Sequence, residues 1–213
     1  MDKSISWFID KQVEKAISAL EKRNMKGVFV KDEQELLEIL QSLIQENSVV
    51  GVGDSVTLLE TGVLDFLRKG NYNFLDKYRE GITSEEKKQI YMQNFSADTF
   101  LCSTNALTEE GELYNIDGNG SRVAPMIYGP KQVIIVAGIN KLVRNAEEAE
   151  KRVRNYAAPI DAKRLNKDTP CTRLGHCVDC KSPDRICNDF VTITGQFVKD
   201  RIKVLIVAKS LGY

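Results

Sequence analysis

Short β-branched runs alternate with segments of helical period along most of this chain, and that alternation restricts it to an α/β fold. Ile5, Ile9, Val13, Ala16, Ile17 and Leu20 recur at helical spacing among charges, and KGVFV at 26–30 follows as a short strand. Asp32 with Glu35 marks the start of a second helix carrying Leu36, Leu37, Leu40, Leu43 and Ile44. Residues 48–52 form a strand that runs into the glycine turn GVGDS at 51–55, and a helix follows over 56–67. Thr83 with Glu86 starts another helix, and DTFLC at 98–102 is a strand. QVIIVA at 132–137 reads as a strand buried on both faces. Asn145 with Glu148 caps the next helix, to about residue 156. Strands at 191–197 and 202–208 close the chain, with Asp200-Arg201 between them.

The expected architecture is therefore a Rossmann-like, mainly parallel sheet covered by helices on both faces. The last two strands are close enough in sequence to form a terminal β-hairpin, which would make the sheet mixed. Residues 157–190 lose periodicity and gain Pro, Cys and charge. They read as an excursion from a single domain spanning 1–213, with 165–190 as a cysteine-rich segment.

Composition excludes several classes. Hydrophobic residues make up 42% and charged residues 28%, which suits a chain that buries a core rather than a disordered one. Lys and Arg number 30 against 30 Asp and Glu, so no basic surplus points to nucleic acid. No apolar run approaches the ~20 residues that span a bilayer, so no membrane partner is expected. Residues 1–20 interleave charges with apolar residues and so lack a signal-peptide h-region. The expected compartment is the reducing cytoplasm, where cysteines serve as thiols or ligands.

Four of the five cysteines fall within CTRLGHCVDCKSPDRIC, spaced Cys171-x5-Cys177-x2-Cys180-x6-Cys187. Thiols this close in a reducing cell make sense where a soft metal organises their thiolates. Zinc ribbons show two CxxC knuckles and this segment has one; iron–sulfur clusters tolerate varied spacing with four cysteine ligands. A 4Fe–4S cluster is favoured, with zinc as the alternative. His176 reads as a bystander between ligands, and Cys102, at a strand end, as a buried apolar residue.

The turn at 51–55 lies between a strand and a helix, where backbone amides receive anions in α/β folds. Gly51 and Gly53 would allow close approach, and Ser55 and Thr57 would add hydroxyls. The turn is neither a Walker loop nor a full GxGxxG, so it supports no nucleotide triphosphate or dinucleotide site. The polar stretch over 104–122 offers Asn105, Glu109, Asn115, Asp117 and Arg122 for ligand contact, with an ordered polar hairpin as the alternative reading. Lys141 follows the 132–137 strand at its C-terminal edge, the usual ligand side of an open α/β sheet. Arg122 can grip a carboxylate with two hydrogen bonds, and Lys141 offers an exposed or half-exposed point charge for an anion.

GVGDSVTLLETG, TNALTEEGELYNIDGNGSRVAPMIYGPKQVIIVAGINKLV, AAP at 157–159 and the cysteine segment together resemble the LUD domain of bacterial lactate-utilization proteins. The resemblance covers roughly residues 5–210. It implies a fold similar to ribose-5-phosphate isomerases and CoA transferases, with a pocket formed by Gly53, Ser55, Thr57, Asn105, Glu109 and Lys141. Lactate-utilization proteins act as a system that oxidises L-lactate to pyruvate, with iron–sulfur subunits. This chain has a single four-cysteine group in place of tandem ferredoxin-like motifs.

Three functions stay open at this point. The first is a redox accessory protein with a cluster on the four cysteines, a pocket for a small anionic metabolite and a redox partner protein. The second is an isomerase- or transferase-like enzyme with structural zinc and Glu109 as base or nucleophile. The third is a non-catalytic metabolite-binding module.

Overall fold

The structure, a computed structural model, describes residues 2–213. Its strands are β1 (Lys26–Val30), β2 (Val49–Val52), β3 (Asn73–Phe74), β4 (Thr99–Cys102), β5 (Ala106–Thr108), β6 (Leu113–Asp117), β7 (Gln132–Gly138), β8 (Leu142–Val143), β9 (Asp189–Ile193) and β10 (Ile202–Val207). The helices are α1 (Lys3–Lys22), α2 (Glu33–Leu43), α3 (Val56–Glu60), α4 (Val63–Lys69), α5 (Ser84–Gln93), α6 (Val123–Ile127), α7 (Ala146–Arg152), α8 (Ala158–Arg164) and α9 (Pro170–Leu174).

Local chemistry sets most of these boundaries. The Asp32 and Asn145 side chains accept from the backbone N–H groups of Glu35 and Glu148, and Thr83 with Glu86 forms a complete capping box. The helix expected over 56–67 breaks in two, because Gly62 takes a left-handed conformation with φ +71° between α3 and α4. A turn of π-helix, Val153–Ala157, joins α7 to α8. Pro159 cannot donate to the carbonyl of Asn155, and the wider turn absorbs that missing bond.

A six-stranded sheet in the order β1-β10-β7-β4-β2-β3 is parallel throughout. Alternate residues of its strands feed two separate cores. On one face Val50, Val52, Leu101, Ile134, Val136, Leu205 and Val207 pack under Leu36 and Leu40 of α2, Leu58 of α3 and Leu64 and Leu67 of α4. On the other, Phe100, Val133, Ile135, Ile202, Val204 and Ile206 meet Val13, Ala16 and Leu20 of α1 and Met126 of α6. The expected α/β sheet covered by helices on both faces is what forms.

The polar stretch after β4 folds into a second sheet, β8-β5-β6-β9, which shares the α1 face through Leu107, Leu113 and Ile193. Its far side packs Ala106, Tyr114 and Ile116 against Ala149 of α7 and Val153 and Ala157 of the π turn.

The terminal hairpin does not form. β9 pairs antiparallel with β6, with Leu113 opposite Ile193, whereas β10 inserts between β1 and β7 in the parallel sheet. Burial decides the difference. Ile202, Val204, Leu205, Ile206 and Val207 are all fully buried, and only a central strand buries both faces. β9 alternates half-buried and exposed positions up to the buried Ile193 and suits a half-solvated sheet. No helix among the described residues is long and apolar enough to cross a membrane.

Candidate functional site

Parallel pairing brings the C-terminal ends of β2, β4 and β7 to one edge, and a crevice of about 590 Å³ opens there. Its floor carries Ser55, Thr57, Ser103, Asn105 and Lys141; Asp54, Tyr78 and Tyr91 form one wall, and Asp161 and Arg164 another. Arg185 and Ile186 of the cysteine segment complete the rim. Ser55, Thr57, Asn105, Arg122 and Lys141 thus come together although they are spread over 87 positions of sequence, 55 to 141.

Lys141 is buried at the floor, not exposed. Its Nζ donates to Thr57 Oγ1 at 3.0 Å and Ser103 Oγ at 2.9 Å. Burial lowers its pKa to about 7, with the nearby Arg152 and Arg122 guanidinium groups acting in the same direction.

Arg122 is also buried, and its guanidinium is already committed. Nη1 donates to the Ser103 carbonyl at 2.9 Å and Asn115 Oδ1 at 2.7 Å; Nη2 donates to Asn105 Oδ1 at 2.9 Å and the Ile116 carbonyl at 3.0 Å. Asp117 lies 3.8 Å from its Nε. The residue ties the end of β4 to β6 and has no fork left for a carboxylate ligand.

Gly51 and Gly53 lie beneath the crevice. A Cβ on Gly51 would fall 2.2 Å from Asn94 Oδ1, and one on Gly53 would fall 2.8 Å from Arg122 Cγ and 2.9 Å from Cys102 Cβ. Gly51 within β2 and Gly53 just after it are needed for this close packing, and neither lines the crevice. Ser55 caps α3, accepting from the Leu58 N–H at 3.2 Å.

Glu109 lies outside the crevice. Its carboxylate accepts from Lys15 Nζ at 2.6 Å and Gln12 Nε2 at 3.0 Å on α1. The strand β5 leads away from Asn105, and three extended residues carry the chain about 10 Å before Glu109 is reached. The pocket implied for Glu109 is corrected accordingly.

Lys77 escaped the sequence reading. It is fully buried, 2.9 Å from Asp54 Oδ1 in an ion pair out of hydrogen-bond alignment, with Nζ 5.3 and 5.1 Å from the ring centres of Tyr78 and Tyr91. Burial lowers its pKa, Asp54 opposing, and burial raises the pKa of both tyrosines. Asp54 sat within the glycine turn, but no periodicity or motif marked Lys77.

The cysteine segment leaves α8 and returns through β9. Cys171 lies in α9, Cys177 and Cys180 in the following loop, and Cys187 just before β9; all four are half-buried free thiols, whereas Cys102 is fully buried. The Asp179 N–H points at Cys177 Sγ, 3.4 Å away, and Asp179 takes φ +48°, so the CxxC pair is wrapped as a turn. Arg185 donates to the carbonyls of Cys180 at 2.6 Å and Cys187 at 2.6 Å. This donor set is chemically suited to a soft metal. As placed, however, no three His, Cys, Asp or Glu side chains among the described residues converge into a metal-holding group. His176 is exposed beside the Leu174 carbonyl.

No curated protein matches the sequence. A DUF162 family protein from Deinococcus radiodurans is similar in structure over 94% of this chain and 96% of that one, at 14% identity and a TM-score of 0.48. Ribose 5-phosphate isomerase A from Methanocaldococcus jannaschii is similar over 55% of this chain and 56% of that one, at 15% identity and a TM-score of 0.33. The sequence model of the LUD domain matches residues 13–207, nearly the whole chain, and the protein belongs to the LUD-domain family.

Proposed function

We propose that this protein takes a small organic-acid anion into the crevice as part of lactate or related organic-acid utilization. In this reading the four-cysteine segment on the rim is a soft-metal site, with an iron–sulfur cluster favoured and zinc the alternative, and the protein serves as a redox accessory to a partner protein. The charge around the crevice is the supporting observation. Arg152 donates only to the carbonyls of Asn140 and Asn105, and Arg185 only to those of Cys180 and Cys187, so neither is neutralised by a carboxylate. The carboxylates lining the crevice already have cations: Asp54 has Lys77, Asp117 has Arg122, and Asp161 has Arg164 at 2.7 Å, while Glu60, near enough to act on Lys141, offsets Arg152 and leaves Arg185 over. The surplus is positive, and an anion is the ligand it attracts.

The isomerase- or transferase-like alternative loses its base with Glu109 outside the crevice. Calorimetric titration with L-lactate, pyruvate and inorganic phosphate tests the reading. Binding of at least one carboxylate in the millimolar range or tighter is expected, weakened by about 1.5–3 kcal/mol in Arg185→Gln. Absence of binding by all three would remove the reading.

A further inference from the structure

The geometry points to Lys141 as an amine nucleophile that forms an imine with the carbonyl carbon of a small 2-oxo acid bound in the crevice. This inference rests on the organic-acid reading above and adds a covalent step to it.

The hydrogen-bond directions around Nζ carry the argument. Thr57 Oγ1 donates its own proton toward the Leu211 carbonyl at 3.5 Å, and Ser103 Oγ donates toward the Thr104 carbonyl at 3.3 Å. With their protons turned toward these carbonyls, both hydroxyl oxygens are free to accept from Lys141 Nζ. Two N–H bonds of a neutral amine are taken in this way, and its lone pair occupies the remaining tetrahedral position. Thr57, Ser103 and Lys141 all line the crevice.

No carboxylate accepts a hydrogen bond from Nζ among the described residues. The charged and titratable groups acting on it are Arg152 and Arg122, which disfavour the ammonium form, and Glu60 and the Cys102 thiol, which favour it less strongly. Burial adds to the first pair, so the free amine is well populated at neutral pH. A buried lysine beside other cations is a recognised way of activating an amine toward carbonyls. The field of these cations, with Arg185 on the rim, attracts the carboxylate of a 2-oxo acid and so favours it over an uncharged carbonyl.

The step balances. The Nζ lone pair forms a bond to the carbonyl carbon while the C=O π pair moves to oxygen, giving a carbinolamine. The two N–H protons leave with that oxygen as water, and the C=N bond forms. Ser103 Oγ, already accepting one of those N–H groups, is the relay at hand. No oxidant or reductant takes part.

The test is reductive trapping of the full-length protein with pyruvate and cyanoborohydride at pH 7, read by intact mass and peptide mapping. One adduct on Lys141 is expected, forming on the order of a hundredfold faster than on surface lysines, whose ordinary pKa leaves the amine almost wholly protonated. Acetaldehyde, which is the more reactive carbonyl but lacks the carboxylate, should label Lys141 with a smaller preference over surface lysines than pyruvate shows. Lys141→Met, an isosteric change that leaves no charge to bury, should abolish the adduct with far-UV circular dichroism unchanged; should that variant unfold, peptide mapping of the parent still decides. Labelling spread over surface lysines with none at Lys141 overturns the inference. Calorimetric binding of pyruvate or L-lactate without an adduct overturns it while leaving the organic-acid reading intact, and absence of the adduct together with absence of binding by L-lactate, pyruvate and phosphate removes the two together.

Discussion

Arg122 Nη1 donates to Asn115 Oδ1 at 2.7 Å, and through this bond and three others one guanidinium joins the two sheets beneath the crevice. Its partners are two side-chain amides and two backbone carbonyls, none of which finds another cation there. Arg122→Ala removes the donor these oxygens share, although Asn105 Oδ1 keeps the Ile116 N–H, and Arg122→Lys supplies a point charge that cannot reach all four. Both should destabilise the fold, by about 3–5 kcal/mol for Ala, the range for removing one member of a buried charged network. Urea unfolding measures this; a loss below about 1 kcal/mol would show that the strut is dispensable.

Asp54 and Lys77 make a second, asymmetric pair, with the lysine fully buried and the aspartate half-exposed. Asp54→Asn strands the ammonium in a place that already disfavours it and should cost about 2–4 kcal/mol. Adding Lys77→Met should restore most of that loss, because an apolar chain of similar shape needs no partner. A double variant no more stable than Asp54→Asn alone would mean the two residues are not energetically coupled.

Lys141 makes stability depend on pH in a direction opposite to a paired lysine. Its folded pKa of about 7 lies below the ordinary lysine value of 10.5, so between these limits the unfolded chain binds the proton and the folded chain does not. Stability contributed by this group therefore rises with pH from about 7 toward 10.5, at up to about 1.4 kcal/mol per pH unit, and is flat below the window. Unfolding of the parent and of Lys141→Met at pH 7 and pH 9 isolates the effect, since groups elsewhere cancel in the difference. The parent should gain on the variant as pH rises, and parallel behaviour of the two would return the lysine to its ordinary pKa.

Glu109→Gln is expected to leave the affinity of the crevice for small carboxylates unchanged. The carboxylate faces α1, where its partner Lys15 is largely exposed. The change should cost under about 1 kcal/mol of stability. A large loss of ligand affinity with the fold intact would bring Glu109 back to the site.

What was legible follows from where the physics is local. QVIIVA could only be a doubly buried strand, and Asp32, Thr83 and Asn145 announced their helices by cap chemistry that depends on three neighbouring residues. From parallel strand order it followed that Ser55, Thr57, Asn105 and Lys141 would meet at one edge. Orientation was harder to read. Arg122 and Glu109 are equally polar in sequence, yet one is locked by four acceptors and the other turns toward α1. Two glycines that look like ligand-approach residues serve Asn94, Cys102 and Arg122 instead. The partners of β10 lay 69 residues away in β7 and 177 away in β1, beyond the reach of hairpin logic.

The cysteine segment supplies the remaining prediction. Cys177 and Cys180 already form a turn in which an amide points at a sulfur, and the guanidinium of Arg185 holds the backbone of Cys180 and Cys187 together. The Cys187 thiol is held above its ordinary pKa by burial, with Arg185 opposing and the Cys177 and Cys180 thiols adding to the rise. Three of the four thiols are thus electrostatic neighbours even though no three side chains converge as placed. Metal binding would require rotation of cysteine side chains on an exposed loop, a small change compared with folding a site from an unfolded chain. Protein purified without oxygen should carry one equivalent of zinc, or iron with matching acid-labile sulfide and a brown charge-transfer absorption. Cys177→Ser and Cys187→Ser should each lower metal content severalfold while Cys102→Ala leaves it unchanged, with elemental analysis as the measurement. Metal content insensitive to both serine variants, or no metal at all in anaerobic preparations, would leave these four residues as thiols on a rim loop.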